Sequence, residues 1–408
     1  MSAPATSSSS TPIGGGITAP GGFLSAAFAC GLKPSGLDLA LIVSDEVASA
    51  AGVFTTNKAV AAPVVLSKEQ LERSAGRARA IVVNSKCANA CTGDAGMAAA
   101  RDMAAVTAEA LGCDFAHVLV ASTGVIGLRL DSDKVARGIR AAAGTLSRQS
   151  HRSAAEAIMT TDRAPKEAAV RVTTPAGACT IGGMVKGAGM IEPLMATMLG
   201  FVTTDAVIDP TMLRRALVEV TDQTFNAITV DGESSTNDTV FMLASGASGV
   251  RVDERAFPVF VAGLHDLCGG LARDIVRGGE GATKLVTVHV TGAQTATEAK
   301  RAARLMANSP LVKTALHGGD PNWGRLVAVA GRAGVAFNQM RAAVRIGPVV
   351  LFADATMFAD REPAAAEYLA GEEVEVTVDL GTGGRGTATV WTCDFSPDYV
   401  HINADYRT

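Results

Sequence analysis

The sequence predicts an α/β fold, and three observations carry that prediction. Apolar strand-like runs alternate with Ala-rich helical stretches through roughly the first 150 residues. After residue 166 the helical period gives way to strand-like runs separated by turn signals. Hydrophobic residues make up 48% of the chain but aromatic ones only 4%, so the core must be built from small and aliphatic side chains packed closely in layers. At 408 residues the chain accommodates two or more ordinary domains or one large layered domain.

Taken in order, residues 1–32 carry no charge but contain a Ser run, Pro12, Pro20 and the glycines 14–16, which excludes a membrane span. No basic segment precedes an apolar stretch, so no secretory signal is expected, and residues 1–12 read as a disordered tail. RAIVVNS (79–85) and HVLVAS (117–122) read as buried strands, and AGMAAARDMAAVTAEALG (95–112) as a helix. Further helices are expected over 133–144 and from Ser153. AAVRVTT and ACTIGGMV form a strand pair about the Pro175–Gly177 turn, and TMLGFVTT, NAITVDG and TVFMLASG continue the apolar theme. KLVTVHVTG (284–292) is a strand and EAKRAARLMANS (298–309) a helix. EVEVTVDLG and TATVWTCDF close the chain as strands joined by the Gly381–Gly386 turn. With no linker and no repeat, the two halves should share layers of sheet and helix.

A net charge of −4, without a basic stretch or aromatic platform, excludes a nucleic-acid partner. The seven cysteines are scattered, and only Cys87 and Cys91 lie close together. They read as small buried hydrophobes in a reducing, cytoplasmic setting rather than as zinc ligands. The six histidines form neither HExxH nor a close pair, so no metal site is expected. GGEGATK (278–284) lacks the P-loop spacing, GGG at 14–16 follows no strand, and no GxSxG occurs.

One segment fits none of these vocabularies. In KGAGMIEPLMATMLGFVTTDA (186–206), Gly187, Gly189 and Pro193 permit a bent approach, Ala196 is small, and Thr197 opens a strand-like run. A threonine hydroxyl attacking the preceding carbonyl at a strained peptide would give an ester, and hydrolysis would free a threonine N-terminus. Its α-amine, with a pKa of roughly 7.7–8.0, could then serve as base for the adjacent hydroxyl. Spacing alone leaves open the plainer alternative of an ordinary strand-leading threonine.

This segment resembles the self-cleavage segment of the ornithine acetyltransferase (glutamate N-acetyltransferase) family. The resemblance extends in order through NSKCANACTGDAG (84–96), ASTGVIG (121–127), AIMTTDRAPK (157–166), TFNAITVDGESSTNDT (224–239), NSPLVKTA (308–315), HGGDPNWGR (317–325) and INADYRT (402–408). It implies an N-terminal-nucleophile-like layered sandwich of two central sheets flanked by helices, self-cleaved between Ala196 and Thr197. Residues 1–196 would be an α chain and 197–408 a β chain, associated as a heterotetramer of two of each. The implied activity is transfer of acetyl from N-acetylornithine to glutamate through an acetyl-threonine, without a bound cofactor. Acetyl-CoA is a co-substrate of those members that also make N-acetylglutamate.

Carried onto this sequence, the resemblance makes Thr197 the nucleophile and Thr123 and Gly124 the oxyanion pair. Lys186, Thr160 or Thr161 (Thr160 preferred), Glu280, Asn403 and Thr408 become substrate contacts, with Thr197 itself among them. Lys186 would face a substrate carboxylate and Glu280 a substrate ammonium. Use of Asn403 and Thr408 requires the chain end to fold back. Asp231, Asn237 and Asp238 read as supporting residues. Lys86 and Cys87 stand where glycine and asparagine are commoner in the family. An aminopeptidase or amidase on the same fold, or a non-enzymatic binding protein that retained it, are the rival readings.

Overall fold

The computed structural model describes residues 10–192 and 198–405, which fall into two compact units. The first comprises the chain through residue 226 together with 233–275. Its elements are β1 (Ser10–Ile13), β2 (Phe23–Phe28), β3 (Leu39–Phe54), α1 (Ala62–Arg73), β4 (Arg77–Asn84), α2 (Gly93–Leu111), β5 (Val118–Ser122), α3 (Ser132–Ala143), α4 (His151–Ala157), β6 (Lys166–Thr174), β7 (Gly177–Lys186), β8 (Leu199–Thr204), α5 (Pro210–Gln223), β9 (Thr239–Ala244) and most of α6 (Phe257–Arg277). The strands build one sheet in the order β1-β6-β7-β8-β9-β3-β4-β5, with β2 also paired to β3.

Both faces of this sheet are buried, and β4 shows why its sequence is a continuous apolar run rather than an alternating one. Ala80 and Val82 point into a cluster with Met103 and Ala104 of α2 and Ile139 of α3. Ile81 and Val83 point the other way, into a cluster with Ala154 and Ala155 of α4 and with Phe201 and Phe241. Alanines on the covering helices let them approach the strands closely, as the low aromatic content requires.

The second unit comprises residues 227–232 and 276 onward. It contains β10 (Leu285–Ala293), α7 (Ala296–Ala307), α8 (Pro310–His317), α9 (Trp323–Gly331), β11 (Ala343–Ile346), β12 (Val349–Ala353), β13 (Thr356–Met357), α10 (Glu362–Leu369), β14 (Glu373–Asp379), β15 (Gly386–Cys393) and α11 (Pro397–Ala404). Its sheet runs β13-β12-β11-β14-β10-β15. Val286, Val288 and Val290 alternate inward against Ala299, Ala302, Ala303 and Met306 of α7.

The architecture is the expected α/β class, with two sheets and their covering helices. The sheet of the first unit spans both sequence halves, because β8 and β9 pair with β7 and β3. The division into compact units therefore does not follow the boundary at 196/197, which lies inside the first unit.

Three expectations are corrected. Residues 10–12 are not a disordered tail: β1 adds to the sheet edge by pairing Ser10–Ile13 with Ala169–Val172, and Ser10 Oγ bonds the Asp266 carboxylate. Pro12, lacking an N–H, is tolerated there because an edge strand leaves one side unpaired. NAITVDG is not a strand but a short 3₁₀ turn at Phe225–Ala227 followed by loop. β14 and β15 are not a hairpin, because β10 lies between them, parallel to β14 and antiparallel to β15. Of the cysteines, Cys87, Cys179, Cys268 and Cys393 are buried as expected, whereas Cys91 is exposed.

Candidate active site

The ends of β4 and β5, which run parallel, place Thr123 and Gly124 at the mouth of the first unit's sheet. The turn is pinned from several sides. Thr123 N–H donates to the Asn84 carbonyl at 3.0 Å and Val125 N–H to the Lys86 carbonyl at 2.9 Å. Ser122 Oγ donates to Asn84 Oδ1 at 2.6 Å, and Asn237 Nδ2 donates to the carbonyls of Ser122 (2.9 Å) and Ala88 (2.6 Å). Gly124 adopts φ +130°, and a Cβ there would overlap the Lys86 carbonyl, so the position admits only glycine. Among the described residues its N–H meets no acceptor, while the N–H on either side does. A hydroxyl and an uncommitted N–H at adjacent positions on a braced turn are what an oxyanion requires.

Lys186, the last residue of β7, is 5% exposed and donates from Nζ to Thr123 Oγ1 at 3.3 Å. Because Thr123 accepts from the lysine, its own hydroxyl proton is left to donate elsewhere. Behind Lys186 lies Asp162. Its Oδ1 takes Lys166 Nζ at 2.5 Å and Gly187 N–H at 2.7 Å, and its Oδ2 takes Thr160 N–H at 3.1 Å. Burial works against the ionised form of Asp162, but the ammoniums of Lys186 and Lys166 outweigh it and hold the carboxyl at about 2. Asp238, 1% exposed, takes the Ser235 N–H at 3.2 Å and the N–H of Met198. Burial pushes its carboxyl well above the usual range despite those bonds and the charge of Lys186.

In the second unit Glu280 is buried and accepts from Asn403 Nδ2 at 2.9 Å. Among the described residues the chain does fold back, for α11 lies on the Glu280 loop. Gly281, at φ +69°, has no room for a Cβ against the Tyr399 N–H, and Ser396 Oγ donates to the Gly281 carbonyl at 2.6 Å. Asp394 fixes the other end of that loop, accepting from Thr283 N–H at 2.8 Å, Thr283 Oγ1 at 2.6 Å and Lys284 N–H at 2.9 Å. His317 Nδ1 lies 2.7 Å from the same carboxylate. Burial opposes ionisation of Asp394, yet these hydrogen bonds hold its carboxyl below the ordinary value.

Thr123, Gly124 and Lys186 thus come together in one unit, with Thr160 tied to them through Asp162, and Glu280 and Asn403 come together in the other. Thr161 is half-buried in the Thr160 turn. Ala196, Thr197 and Thr408 lie outside the described residues. Sequence reasoning passed over Asn84 and Asp162, although NSKC and MTTD contain them. Of the residues read as supporting, Asn237 braces the Thr123–Gly124 turn and Asp238 holds the N–H of Met198.

A model of the ArgJ family matches residues 24–408. The chain belongs to the ArgJ family. The arginine biosynthesis bifunctional protein ArgJ of Symbiobacterium thermophilum is 48% identical over 402 residues, covering 97% of this chain and 99% of that protein. The protein of the same name from Gloeobacter violaceus is 46% identical over 404 residues, with 97% and 98% covered. Two solved structures are also similar. The ArgJ bifunctional protein of Bacillus halodurans is 43% identical and covers 51% of this chain and 99% of its own, with a TM-score of 0.49. The ornithine acetyltransferase of Mycobacterium tuberculosis, solved with ornithine, is 39% identical and covers 46% and 99%, with a TM-score of 0.42.

Proposed function

We propose that this ArgJ-family enzyme, a glutamate N-acetyltransferase of arginine biosynthesis, cuts itself between Ala196 and Thr197 and then moves acetyl from N-acetylornithine to glutamate by a ping-pong route. The observation that carries the reading is the Thr123–Gly124 turn, with its hydroxyl and N–H side by side and Lys186 at 3.3 Å, in a chain 48% identical to an ArgJ bifunctional protein. For self-cleavage, Thr197 Oγ attacks the Ala196 carbonyl, the Ala196–Thr197 C–N bond breaks as its nitrogen takes up a proton, and water hydrolyses the resulting ester. Ala196 is left as a carboxylate and Thr197 as a free amine.

In the transfer, that amine accepts the Thr197 hydroxyl proton as Oγ attacks the acetyl carbonyl. Thr123 O–H and Gly124 N–H stabilise the tetrahedral oxyanion, each such donor contributing ~3–4 kcal/mol. Collapse breaks the acetyl C–N bond and returns the proton to the departing nitrogen, releasing ornithine. The glutamate amine then attacks acetyl-Thr197 and regenerates the hydroxyl. Lys186 pairs with the substrate carboxylate, Glu280 with the substrate ammonium, and the Thr160–Thr161 turn, Asn403 and Thr408 complete the contacts. No bound cofactor is invoked. Acetyl-CoA serves as a second acetyl donor, in keeping with the bifunctional names of the relatives. Two α and two β chains form the assembly, in the cytoplasm.

The test is denaturing electrophoresis with intact mass analysis of the purified protein. Two chains are expected, the second beginning at Thr197, and Thr197→Ala should abolish both the cut and transfer. A single full-length species that transfers acetyl would end the self-cleavage reading. Hydrolysis of N-acetylornithine without acetylation of glutamate would replace the transferase by an amidase.

A further inference from the structure

Asp162 has no place in the chemistry above, yet its side chain is completely buried and it joins the Thr160 turn to the chain just after Lys186. It follows the Thr160–Thr161 turn directly, and through Oδ2 it takes the Thr160 N–H at 3.1 Å. Through Oδ1 it takes the N–H of Gly187 at 2.7 Å, one residue beyond Lys186. Lys166 bridges the same two segments, donating to Asp162 Oδ1 at 2.5 Å and to the Gly187 carbonyl at 3.2 Å. Gly187, the residue after Lys186, is therefore gripped at both its N–H and its C=O.

The consequence lies in where Lys186 can reach. Its Cα belongs to β7, opposite Leu199 of β8, and its ammonium must extend back to Thr123 at 3.3 Å. The Gly187 peptide fixes the direction in which the chain leaves the strand, and so the origin of the lysine side chain. A carboxylate fits this role better than an amide, since it can accept two donors on one oxygen and a third on the other while balancing a neighbouring ammonium. The charges facing it are Lys166, Lys186 and Lys33.

We infer that Asp162 is a positioning residue for substrate-carboxylate recognition: it clamps the Thr160 turn to the Lys186–Gly187 peptide and so holds the Lys186 ammonium at Thr123, where the substrate carboxylate binds. The inference rests on the acetyltransferase reading and adds to it the residue that sets the aim of its lysine.

The experiment compares Asp162→Asn with the wild-type full chain on N-acetylornithine and on N-acetylputrescine, the same acetyl donor without its carboxylate, with glutamate as acceptor. Cleavage is followed by intact mass. The variant is expected to process normally and to show a KM for N-acetylornithine raised about tenfold or more, kcat changing much less, and activity on N-acetylputrescine within about twofold. Equal losses on both donors would overturn the inference and leave Asp162 a folding residue, as would an unchanged KM. An uncut but folded variant would overturn it by moving Asp162 to the cleavage step. If Asp162→Asn does not fold, Asp162→Glu keeps the charge and displaces the carboxylate by one methylene. It should show the same selective KM rise, about threefold or more, and an unchanged KM would again overturn the inference. Failure of the wild type to acetylate glutamate would instead refute the acetyltransferase reading itself.

Discussion

In the first unit the candidate residues sit at strand ends, whereas in the second a buried loop carboxylate takes its amide partner from a short exposed helix. Thr123, Lys186 and Asp162 are all under 10% exposed, and each is tied to strand ends of a sheet buried on both faces. Glu280 is also buried, but its partner Asn403 is exposed on α11, a helix with no buried residue, anchored mainly through Ser396 and Tyr399. The contrast teaches that the groups proposed for the oxyanion and the substrate carboxylate are preorganised. The group proposed for the ammonium is itself buried, but its amide partner is carried on an exposed helix.

The comparison is tested most severely at the oxyanion turn. Gly124→Ala would drive a Cβ into the Lys86 carbonyl, and with Thr123→Val it should lower kcat by ~10²–10³-fold at little-changed KM. In the second unit, Glu280→Gln should raise KM for N-acetylornithine by about tenfold, and Asn403→Ala by only a few-fold, because Asn403 is exposed and gives Glu280 a single hydrogen bond. An Asn403→Ala loss as large as that of Thr123→Val in steady-state kinetics would erase the distinction between the units.

A pH titration of stability sharpens the same contrast. Asp162 is depressed to about 2 in the fold, so its contribution is fully present above the unfolded carboxyl value near pH 4. It is lost as pH falls through about 2. The stability gap between wild type and Asp162→Asn, measured by denaturant titration, should accordingly be constant above about pH 4 and close in strong acid. The smallest effect is expected behind the turn. Lys86 sits at φ +76°, in the left-handed region that favours glycine, so Lys86→Gly should stabilise the protein by up to about 1 kcal/mol without changing kcat.

Much of this was legible in the sequence because the relevant signals are local. The run RAIVVN is apolar at every position of its centre and is β4; AAARDMAAVTAEAL has no helix breaker and forms most of α2 before Gly112 ends it in a left-handed cap. The GAG…P…AT pattern and the STG turn pointed to Thr197, Thr123 and Gly124 through a family resemblance, and the chain's place in the ArgJ family bears that resemblance out. The pairing of β14 and β15 was misread because strand propensity says nothing of neighbours. β10 ends at Ala293, long before its partners begin at Glu373 and Gly386, and only the closed core of the second unit decides that it lies between them.

By itself, then, the sequence determined the α/β class, the family, and which residue types were available for acyl transfer, since composition, period and motif are properties of adjacent residues. Tertiary structure alone decided that Ser10–Ile13 would complete a sheet edge, that Asn84 and Asn237 would brace the Thr123–Gly124 turn, and that Asp162 would grip Gly187. Asp162 and Lys166 are four apart, but Pro165 stands between them and no helix makes that spacing a contact. Their meeting comes from the return of β6 against β7, where burial removes water and leaves the carboxylate no partners except those the fold supplies.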